Sequence, residues 1–160
     1  MKRIKVKELD YIYKVSEMDI LYNTKVKASE RIKVTDSVSM AKMFRERIGR
    51  KIEYCEQSYI ALFNRNMQVL GVAKLGDGSS CECIVNTKKA FQLAILCNAD
   101  AIALCHNHPS GNVQPSEIDR KLTFQVREIC EFLGITLVDH LIVTDERYYS
   151  FRDNSLIKQL

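Results

Sequence analysis

The apolar run DAIALC at residues 100–105 leads directly into the polar sequence HNHPSG, and it limits the fold more than any other stretch. A continuous apolar run of this length is typical of a strand that is buried on both faces of a sheet. Helical patterns stand on both sides of it in the chain: NTKKAFQLAILCNA before it, and a stretch from Ser116 to about Leu133 after it. Because strands and helices alternate, we predict an α/β fold with a mixed β-sheet flanked by helices.

A first helix is predicted over the sequence SVSMAKMFRERIGR. Met40, Phe44 and Ile48 recur there at i, i+4 and i+8, which places them on one face of a helix. Asp36 or Ser37 supplies the N-cap, because a side-chain oxygen at that position accepts a bond from a free backbone N–H.

The remaining elements follow from the same kinds of pattern. The helix before the central strand is expected to begin at Asn86 or Thr87 and to turn Phe91, Ala94 and Ile95 inward. SYIALFN and QVLGVAKL are predicted strands joined by the turn RNM, and ITLVDHLIVT and YYSF are predicted strands joined by the turn DER. CECIV is a candidate for a further short strand, and SLIKQL for a C-terminal helix.

The composition is that of a globular protein rather than of a disordered or membrane-spanning chain. With 160 residues, 46% of them apolar and 28% charged, the chain can build one hydrophobic core. No stretch approaches the roughly 18 apolar residues that span a bilayer. The N-terminus MKRIKVKELDYIYKV lacks the apolar centre of a signal peptide, so we expect a cytoplasmic protein.

The six cysteines are expected to be free thiols, as in most cytosolic proteins. Cys55, Cys97, Cys105 and Cys130 have apolar neighbours and are predicted to be small core residues. The isolated CEC at residues 81–83 is a weak signal for zinc, because no second pair of ligands stands at the spacing of a zinc finger.

The basic residues are concentrated toward the N-terminus. Residues 1–50 carry 13 Lys/Arg and 7 Asp/Glu, whereas residues 51–160 carry 11 and 13, in a chain of net charge +4. Basic segments such as KVKASERIKV could contact nucleic acid or an acidic partner. We favour the other interpretation, a solvated strand edge kept soluble by lysines. We divide the chain into a basic strand or arm over residues 1–35 and a domain over residues 36–160.

Two of the three histidines directly follow the predicted central strand. His106 and His108 stand two residues apart, so in an extended chain both imidazoles point the same way. Asp119 falls on the first turn of the next helix when Ser116 is its N-cap, and its carboxylate can reach back toward them. Two imidazoles and a carboxylate are a ligand set that zinc favours, and they leave a fourth position for water. We therefore predict one Zn²⁺ per chain, held by these three residues.

Ser116 and Asp119 also fit a plain capping box, which by itself stabilises a helix by roughly 1 kcal/mol and needs no metal. The two interpretations are compatible, because Ser116 can cap the helix while Asp119 turns its carboxylate to a metal. Other metal signatures do not fit: the chain contains neither His-Glu-x-x-His nor His-x-Glu with Pro-Cys-x-x-Cys. The contiguous HNH also differs from the nuclease motif of that name, whose residues are spread over a ββα metal finger.

The spacing His106-x-His108, seven residues, Ser116, two residues, Asp119 matches the JAMM motif of the JAB1/MPN metallopeptidases. Over roughly residues 37–155, HNHPSG and PSEID resemble the RadC-like branch of that family, historically called DNA repair proteins. The resemblance implies the JAB1/MPN fold, of cytidine deaminase-like architecture, and hydrolysis of a peptide or isopeptide bond. It also implies that the two histidines and the aspartate hold zinc, and that Ser116 stabilises the oxyanion of the tetrahedral intermediate.

The family's fourth element is a glutamate just before a strand near the metal, and Glu56 in EQSYIALFN matches it. By implication Glu56 activates the water. Glu53, three residues earlier, is the alternative, and we favour Glu56 because it adjoins the apolar run. Longer RadC-like proteins carry an N-terminal helix-hairpin-helix module suited to DNA, which the first 35 residues of this chain are not expected to form.

The third histidine, His140, stands in LVDHLIV. A similar Asp-His pair occurs in the RadC-like branch, so Asp139 or His140 could support the metal ligands through hydrogen bonds. We favour the interpretation of His140 as a half-buried strand residue with its own hydrogen bonds. Ser110, Gly111 and Asn112 form the turn after the ligands and leave room for a substrate chain, although turn geometry alone would select them.

Three classes of function follow from these observations. The leading one is a JAMM-type zinc hydrolase acting on a protein or peptide, because the three ligands and Glu56 are all present. The others are a DNA-associated protein that binds or processes nucleic acid, and a non-catalytic interaction module. The acidic balance of residues 51–160 disfavours the nucleic-acid class. An extended peptide could add to an exposed strand edge.

Overall fold

The structure is a computed structural model that describes residues 26–78 and 85–157. Five strands form one sheet in the order β2-β1-β3-β4-β5: β1 (Gln57–Phe63), β2 (Val69–Asp77), β3 (Ala101–Asn107), β4 (Thr136–Val143) and β5 (Tyr148–Ser150). The described residues also form the helices α1 (Ser37–Ile48), α2 (Thr87–Leu96) and α3 (Glu117–Leu133). Only the pair β3–β4 is parallel among these strands, so the predicted α/β fold with a mixed sheet is confirmed.

The central strand β3 is buried along its whole length, as its apolar run predicts. Successive side chains of a strand point to opposite faces, and the two faces of the sheet carry separate cores. Ala103 and Cys105 pack in the core that contains the buried face of α1. Ile102 and Leu104 pack in the core that contains the buried residues of α2 and α3. The sheet therefore lies between one helix on one side and two on the other.

Helix α1 begins and packs as its spacing predicts. Of the two candidate caps, Asp36 is the N-cap, and its Oδ1 accepts a bond of 2.7 Å from the backbone N–H of Ser39. Met40, Phe44 and Ile48 are buried against the sheet. This apolar face fixes α1 on the side of β3 opposite to α2 and α3.

Helix α2 corrects one prediction. Asn86 is its N-cap, and Phe91 and Ala94 are buried as expected. The expected inward position of Ile95 is wrong, since 49% of this residue is exposed. Ala90 takes the inward place instead, because the two small residues Ala90 and Ala94, one turn apart, face the sheet and turn Ile95 toward solvent.

The predicted N-terminal arm is described only from residue 26. There Lys33 forms a β-bridge with Gln68, and Val34 is buried in the core on the α1 side. The earlier residues of the arm and most of CECIV, including Cys81 and Cys83, lie outside the described residues. In the predicted C-terminal helix, residues 155–157 form a turn and a bend, so the helix is wrong there, and the last three residues are not described.

The four described cysteines are free, as expected. Cys105 and Cys130 are buried core residues, whereas Cys55 and Cys97 are only half-buried because they lie at the ends of elements. No helix within residues 26–78 and 85–157 is long and apolar enough to cross a membrane.

Candidate metal centre

The candidate centre lies where β3 ends. His106 pairs with Ser58 of β1 and Ile142 of β4, so its backbone is held from both sides. Its side chain points to the same face as Leu104, toward α3, and is 2% exposed. The buried apolar strand thus delivers an imidazole to a fixed position at one end of the sheet.

Two further ligand candidates converge on this imidazole. The Nε2 atom of His108 lies 3.1 Å from Nε2 of His106, and Oδ1 of Asp119 lies 3.2 Å from the same atom. One candidate ligand atom from each of these three residues falls within 4.8 Å of the others. The structure therefore brings together the His-His-Asp set whose members were predicted from their spacing.

His108 is oriented by the turn that follows it. Its Nδ1 lies 2.6 Å from the backbone oxygen of Asn112, and Gly111 adopts a φ of +77°, which closes the turn. A carbonyl oxygen only accepts hydrogen bonds, so Nδ1 carries the proton and Nε2 of a neutral ring is a lone pair. Burial and the neighbouring His106 lower the pKa of His108, which favours this neutral ring.

Asp119 combines the two roles that its sequence context allows. Its Oδ2 accepts bonds from the backbone N–H of Ser116, at 2.8 Å, and from the Ser116 hydroxyl, at 2.5 Å. Its Oδ1 faces His106. Burial opposes ionisation, but the contacts with His106 and Ser116 hold the pKa of the Asp119 carboxyl well below its usual range. Ser116 and Asp119 therefore form the predicted capping box, and Oδ1 of the ionised Asp119 carboxylate remains available to the candidate centre.

The donor set fits a zinc ion. With bonds of 2.0–2.2 Å, the ligand atoms of a tetrahedral zinc site lie roughly 3.3–3.6 Å apart. The spacings of 3.1 and 3.2 Å around Nε2 of His106 are slightly shorter, so small side-chain movements would open them to that range. The lone pair of His108 and the carboxylate of Asp119 both face Nε2 of His106. A cation bound by the three residues would offset the repulsion between this lone pair and the carboxylate.

Both candidate glutamates stand in the segment before β1. Glu56 is almost buried, at 9% exposed, and its backbone oxygen accepts a bond of 2.8 Å from the N–H of Gly78. Because Ser58 pairs with His106, Glu56 stands at the same end of the sheet as the histidines. Glu53 is exposed and borders a cleft beside His108.

Asn107, between the two histidines, is a residue whose role the sequence analysis missed. It points to the opposite face from His106 and is fully buried. Its Nδ2 donates to the backbone oxygens of Ile52, at 2.7 Å, and Cys55, at 2.9 Å, and its Oδ1 accepts from the N–H of Gln57, at 2.8 Å. These bonds tie the segment that carries both glutamates to the strand that carries the histidines. The His-x-His spacing places no demand on the middle residue, so it gave no signal.

His140 corrects another prediction, because it is not half-buried but only 1% exposed. Its Nε2 lies 3.0 Å from Nδ1 of His106, and its Nδ1 lies 2.6 Å from the hydroxyl of Thr123. Burial lowers the pKa of His140 well below its ordinary value. The alternative interpretation, contact with a metal-ligand candidate, describes its position. Thr123 was missed, although its place four residues after Asp119 puts it on the same helix face.

Asp139, the other residue of the Asp-His pair, bonds away from the centre. Its carboxylate accepts from the hydroxyl of Ser150, at 2.6 Å, from the N–H of Arg152, at 3.0 Å, and from the N–H of His140, at 2.8 Å. Burial raises the pKa of Asp139, against the effect of these bonds. The residue therefore organises the connection between β4 and the turn after β5.

A cleft opens beside His108 at this end of the sheet. It is bordered by the turn after the ligands, by the segment before β1 and by the β4–β5 turn; its lining residues are Ile52, Glu53, His108, Pro109, Gly111, Thr144, Asp145, Glu146 and Arg147. The side chain of Arg147 donates to the backbone oxygen of Gly111 at 3.0 Å, which joins two of these borders. Of the three ligand candidates, His108 lies in the wall of this cleft.

Comparison with known proteins identifies the family. A family model described as a RadC-like JAB domain matches residues 34–156. The UPF0758 protein of Streptococcus suis is 33% identical over 156 residues, covering 97% of this chain and 59% of that relative. The UPF0758 protein of Thermotoga maritima is 34% identical over 128 residues, covering 78% and 55%. The chain thus spans less than two thirds of the length of these relatives. It belongs to the family of RadC-like JAB domains.

Proposed function

We propose that this domain is a zinc-dependent hydrolase that cleaves a peptide or isopeptide bond with an activated water. The observation that carries the proposal is the convergence of His106 Nε2, His108 Nε2 and Asp119 Oδ1 in a RadC-like JAB domain. Two imidazoles and one carboxylate suit zinc and leave a position for water. When bound there, zinc would polarise the scissile carbonyl and lower the pKa of a water to about 7.

Glu56 is the general base of the proposed reaction. It would accept a proton from the attacking water and deliver it to the leaving nitrogen as the bond breaks. Its low exposure and its position at the histidine end of β1 support this role over Glu53, which is exposed. Asn107 supports it indirectly, because its three bonds fix the segment on which Glu56 stands.

Ser116 is the proposed donor to the oxyanion of the tetrahedral intermediate. Its hydroxyl proton is directed at Oδ2 of Asp119. Rotation of that hydroxyl would make the proton available to a substrate oxygen, while the backbone N–H of Ser116 keeps its own bond to the carboxylate. Ser116 thus stands beside the ligand set with a donor that can be redirected.

A protein or peptide is the proposed substrate. The cleft beside His108 supports this, because it is bordered by loops on three sides and leads to the ligand set. β2 is an edge strand of the sheet, and an extended peptide could pair with it by strand addition. If so, a competing peptide should slow hydrogen exchange of β2 amides, and unchanged exchange would remove this docking mode.

Metal content and hydrolysis together test the proposal. Protein purified without chelator or histidine tag should contain about one zinc per chain by mass spectrometry, and His106→Ala should lose it. Glu56→Gln should keep the zinc and lose hydrolysis across a panel of peptide and isopeptide substrates, whereas the matched variant Glu53→Gln should keep both. Full activity in Glu56→Gln would refute Glu56 as the base. Failure to bind added zinc would refute the hydrolase and favour an interaction module.

A further inference from the structure

We propose that His140 and Thr123 are positioning residues that hold His106 as its Nδ1–H tautomer, so that Nε2 is presented to a cation as a lone pair. The inference rests on the proposed function, because it concerns the same centre. It adds two residues that lie behind the ligands and touch neither the cleft nor the proposed substrate.

A continuous chain of hydrogen bonds carries the inference. Nδ1 of His106 lies 3.0 Å from Nε2 of His140, and Nδ1 of His140 lies 2.6 Å from Oγ1 of Thr123. Oγ1 of Thr123 in turn lies 2.6 Å from the backbone oxygen of Asp119. Exposed fractions of 2%, 1% and 4% for His106, His140 and Thr123 leave no room for water to compete with these bonds.

The hydrogen bond at the Asp119 end determines the direction in which protons are donated. The backbone oxygen of Asp119 can only accept, so the single hydroxyl proton of Thr123 goes to it. Oγ1 of Thr123 must then accept a proton from Nδ1 of His140. A neutral His140 has one donor and one acceptor nitrogen, so its Nε2 accepts from Nδ1–H of His106. Nε2 of His106, on the side of His108 and Asp119, is then the atom that meets a metal. Any proton that it donates to Oδ1 of Asp119 in metal-free protein can be displaced by the cation and leaves a neutral ring.

If the protons were donated in the opposite direction along these hydrogen bonds, His106 would not present a lone pair to a metal. If Nε2 of His140 carried the proton, Nδ1 of His106 would have to accept it, and a neutral His106 would carry its own proton on Nε2. A metal could displace that proton only by leaving His106 as an anionic imidazolate. The hydroxyl of Thr123 opposes this state, because it offers an acceptor to Nδ1–H of His140 while its proton is bonded to Asp119.

Packing holds this chain of hydrogen bonds in place; we call it the relay, and it runs from His106 through His140 and Thr123 to the backbone oxygen of Asp119. The ring of His140 stacks on Phe151 with centroids 4.8 Å apart and an interplanar angle of 13°, which fixes the plane of the imidazole. Thr123 lies one helical turn after Asp119, so the same segment of α3 carries a metal-ligand candidate and the end of the relay. A shift of α3 would therefore change both together.

Nitrogen-15 NMR of the histidine rings tests the tautomers directly. Both in metal-free protein and after addition of zinc, we expect a proton on Nδ1 of His106 and on Nδ1 of His140. In metal-free protein this holds whether or not Nε2 of His106 also donates a proton to Oδ1 of Asp119, 3.2 Å away. A proton on Nε2 of His140 would overturn the inference. This spectrum needs no variant and no zinc binding, so it is decisive even if Thr123→Val does not fold.

Zinc affinity, measured by competition with a chelator, supplies the second test. Thr123→Val keeps the shape of the side chain and removes the hydroxyl, and it should weaken zinc binding about 10- to 100-fold. Thr123→Ser, which keeps the hydroxyl, should restore most of the affinity. Thr136→Val, at the start of β4 and at the other end of the sheet, is the matched control and should bind as the unmodified protein does.

The outcomes separate this inference from the proposed function. Unchanged affinity and an unchanged His106 tautomer in Thr123→Val would refute the relay and leave the zinc site intact. An unmodified protein that binds no zinc would refute the proposed hydrolase, whereas the tautomers of the metal-free protein would still decide the relay.

Discussion

Ser116 and Asp119 bond each other in both directions at the start of α3. The N–H of Asp119 donates to the Ser116 hydroxyl oxygen at 3.2 Å, and Oδ2 of Asp119 accepts from the Ser116 N–H at 2.8 Å. Oδ1 of the same carboxylate lies 3.2 Å from His106. The helix start and the candidate metal centre therefore share one side chain, and substitutions at these two positions should separate the two roles.

Ser116→Ala should reduce stability without removing the metal. It deletes the hydroxyl of the capping box, which should cost about 0.5–2 kcal/mol of unfolding free energy, but it leaves Oδ1 of Asp119 in the centre. Asp119→Ala should lose a comparable stability and also most of the zinc. Urea denaturation and metal analysis of both variants check this, and equal zinc loss in both would contradict the separation of roles.

Asp36 should make the stability of the protein depend on acidic pH. Its bond from the backbone N–H of Ser39 holds the pKa of the Asp36 carboxyl below its ordinary value. A lowered pKa in the folded state means that the ionised cap stabilises the protein above about pH 4, the pKa of an unfolded Asp, and that this contribution is lost as the pH falls further.

The difference in melting temperature between the unmodified protein and Asp36→Ala should therefore shrink as the pH is lowered from 6 to about 3. Asp36→Asn is the matched control, because Asn is an equally good N-cap that does not ionise. Its difference from Asp36→Ala should stay nearly constant with pH, and a parallel decline in both comparisons would contradict the assignment to Asp36.

Asn107→Asp should destabilise the protein strongly despite its small change in size. The new carboxylate would keep the acceptor for Gln57 but place an oxygen against the backbone oxygens of Ile52 and Cys55, inside a fully buried site. Losing two donated bonds and burying a charge should cost roughly 2–4 kcal/mol.

The same substitution at exposed Asn66 serves as its control and should change the unfolding free energy by less than about 0.5 kcal/mol. Calorimetry or denaturant unfolding measures both variants. Hydrogen exchange adds a local readout, because amides of residues 52–57 should exchange faster in Asn107→Asp. Similar stability for the two variants would show that these bonds do not hold the segment.

Ala94 and Ile95 should respond in opposite ways to substitution. Ala94 is fully buried, so Ala94→Leu would overpack the contact between α2 and the sheet and should cost about 1–3 kcal/mol. Ile95 is 49% exposed, and Ile95→Gln should change stability by no more than about 0.5 kcal/mol. Denaturant unfolding compares the two, and a larger loss in Ile95→Gln would place Ile95 in the core after all.

The error at Ile95 shows what helical spacing leaves undecided. Phe91, Ala94 and Ile95 all lie within one broad face of a helix, so periodicity alone allows all three to be buried. Which of these residues meet the sheet depends on how the helix is rotated about its axis. In α2 the small side chain of Ala90 lets the helix pack with Ala90, Phe91 and Ala94 toward the sheet. The caps Asp36 and Asn86 needed only local sequence, and one of the two candidates predicted for each was found.

The ligand set could be predicted because its members lie within fourteen consecutive positions, from His106 to Asp119. The neighbours behind them could not. His140 reaches His106 across 34 positions of sequence, through the parallel pairing of β3 with β4. Its burial follows from that register and from the packing of α3, neither of which leaves a mark in the sequence LVDHLIV.

The opposite orientations of His106 and Asn107 make the end of β3 intolerant of a slipped alignment. One residue inserted between Ala101 and Cys105 would reverse the two faces beyond it. The imidazole would then meet the backbone of residues 52–57, and the amide would meet Asp119. The number of residues in β3 therefore decides which side of the sheet each of its last side chains enters, and an insertion there would disrupt the centre and the contacts of residues 52–57 together.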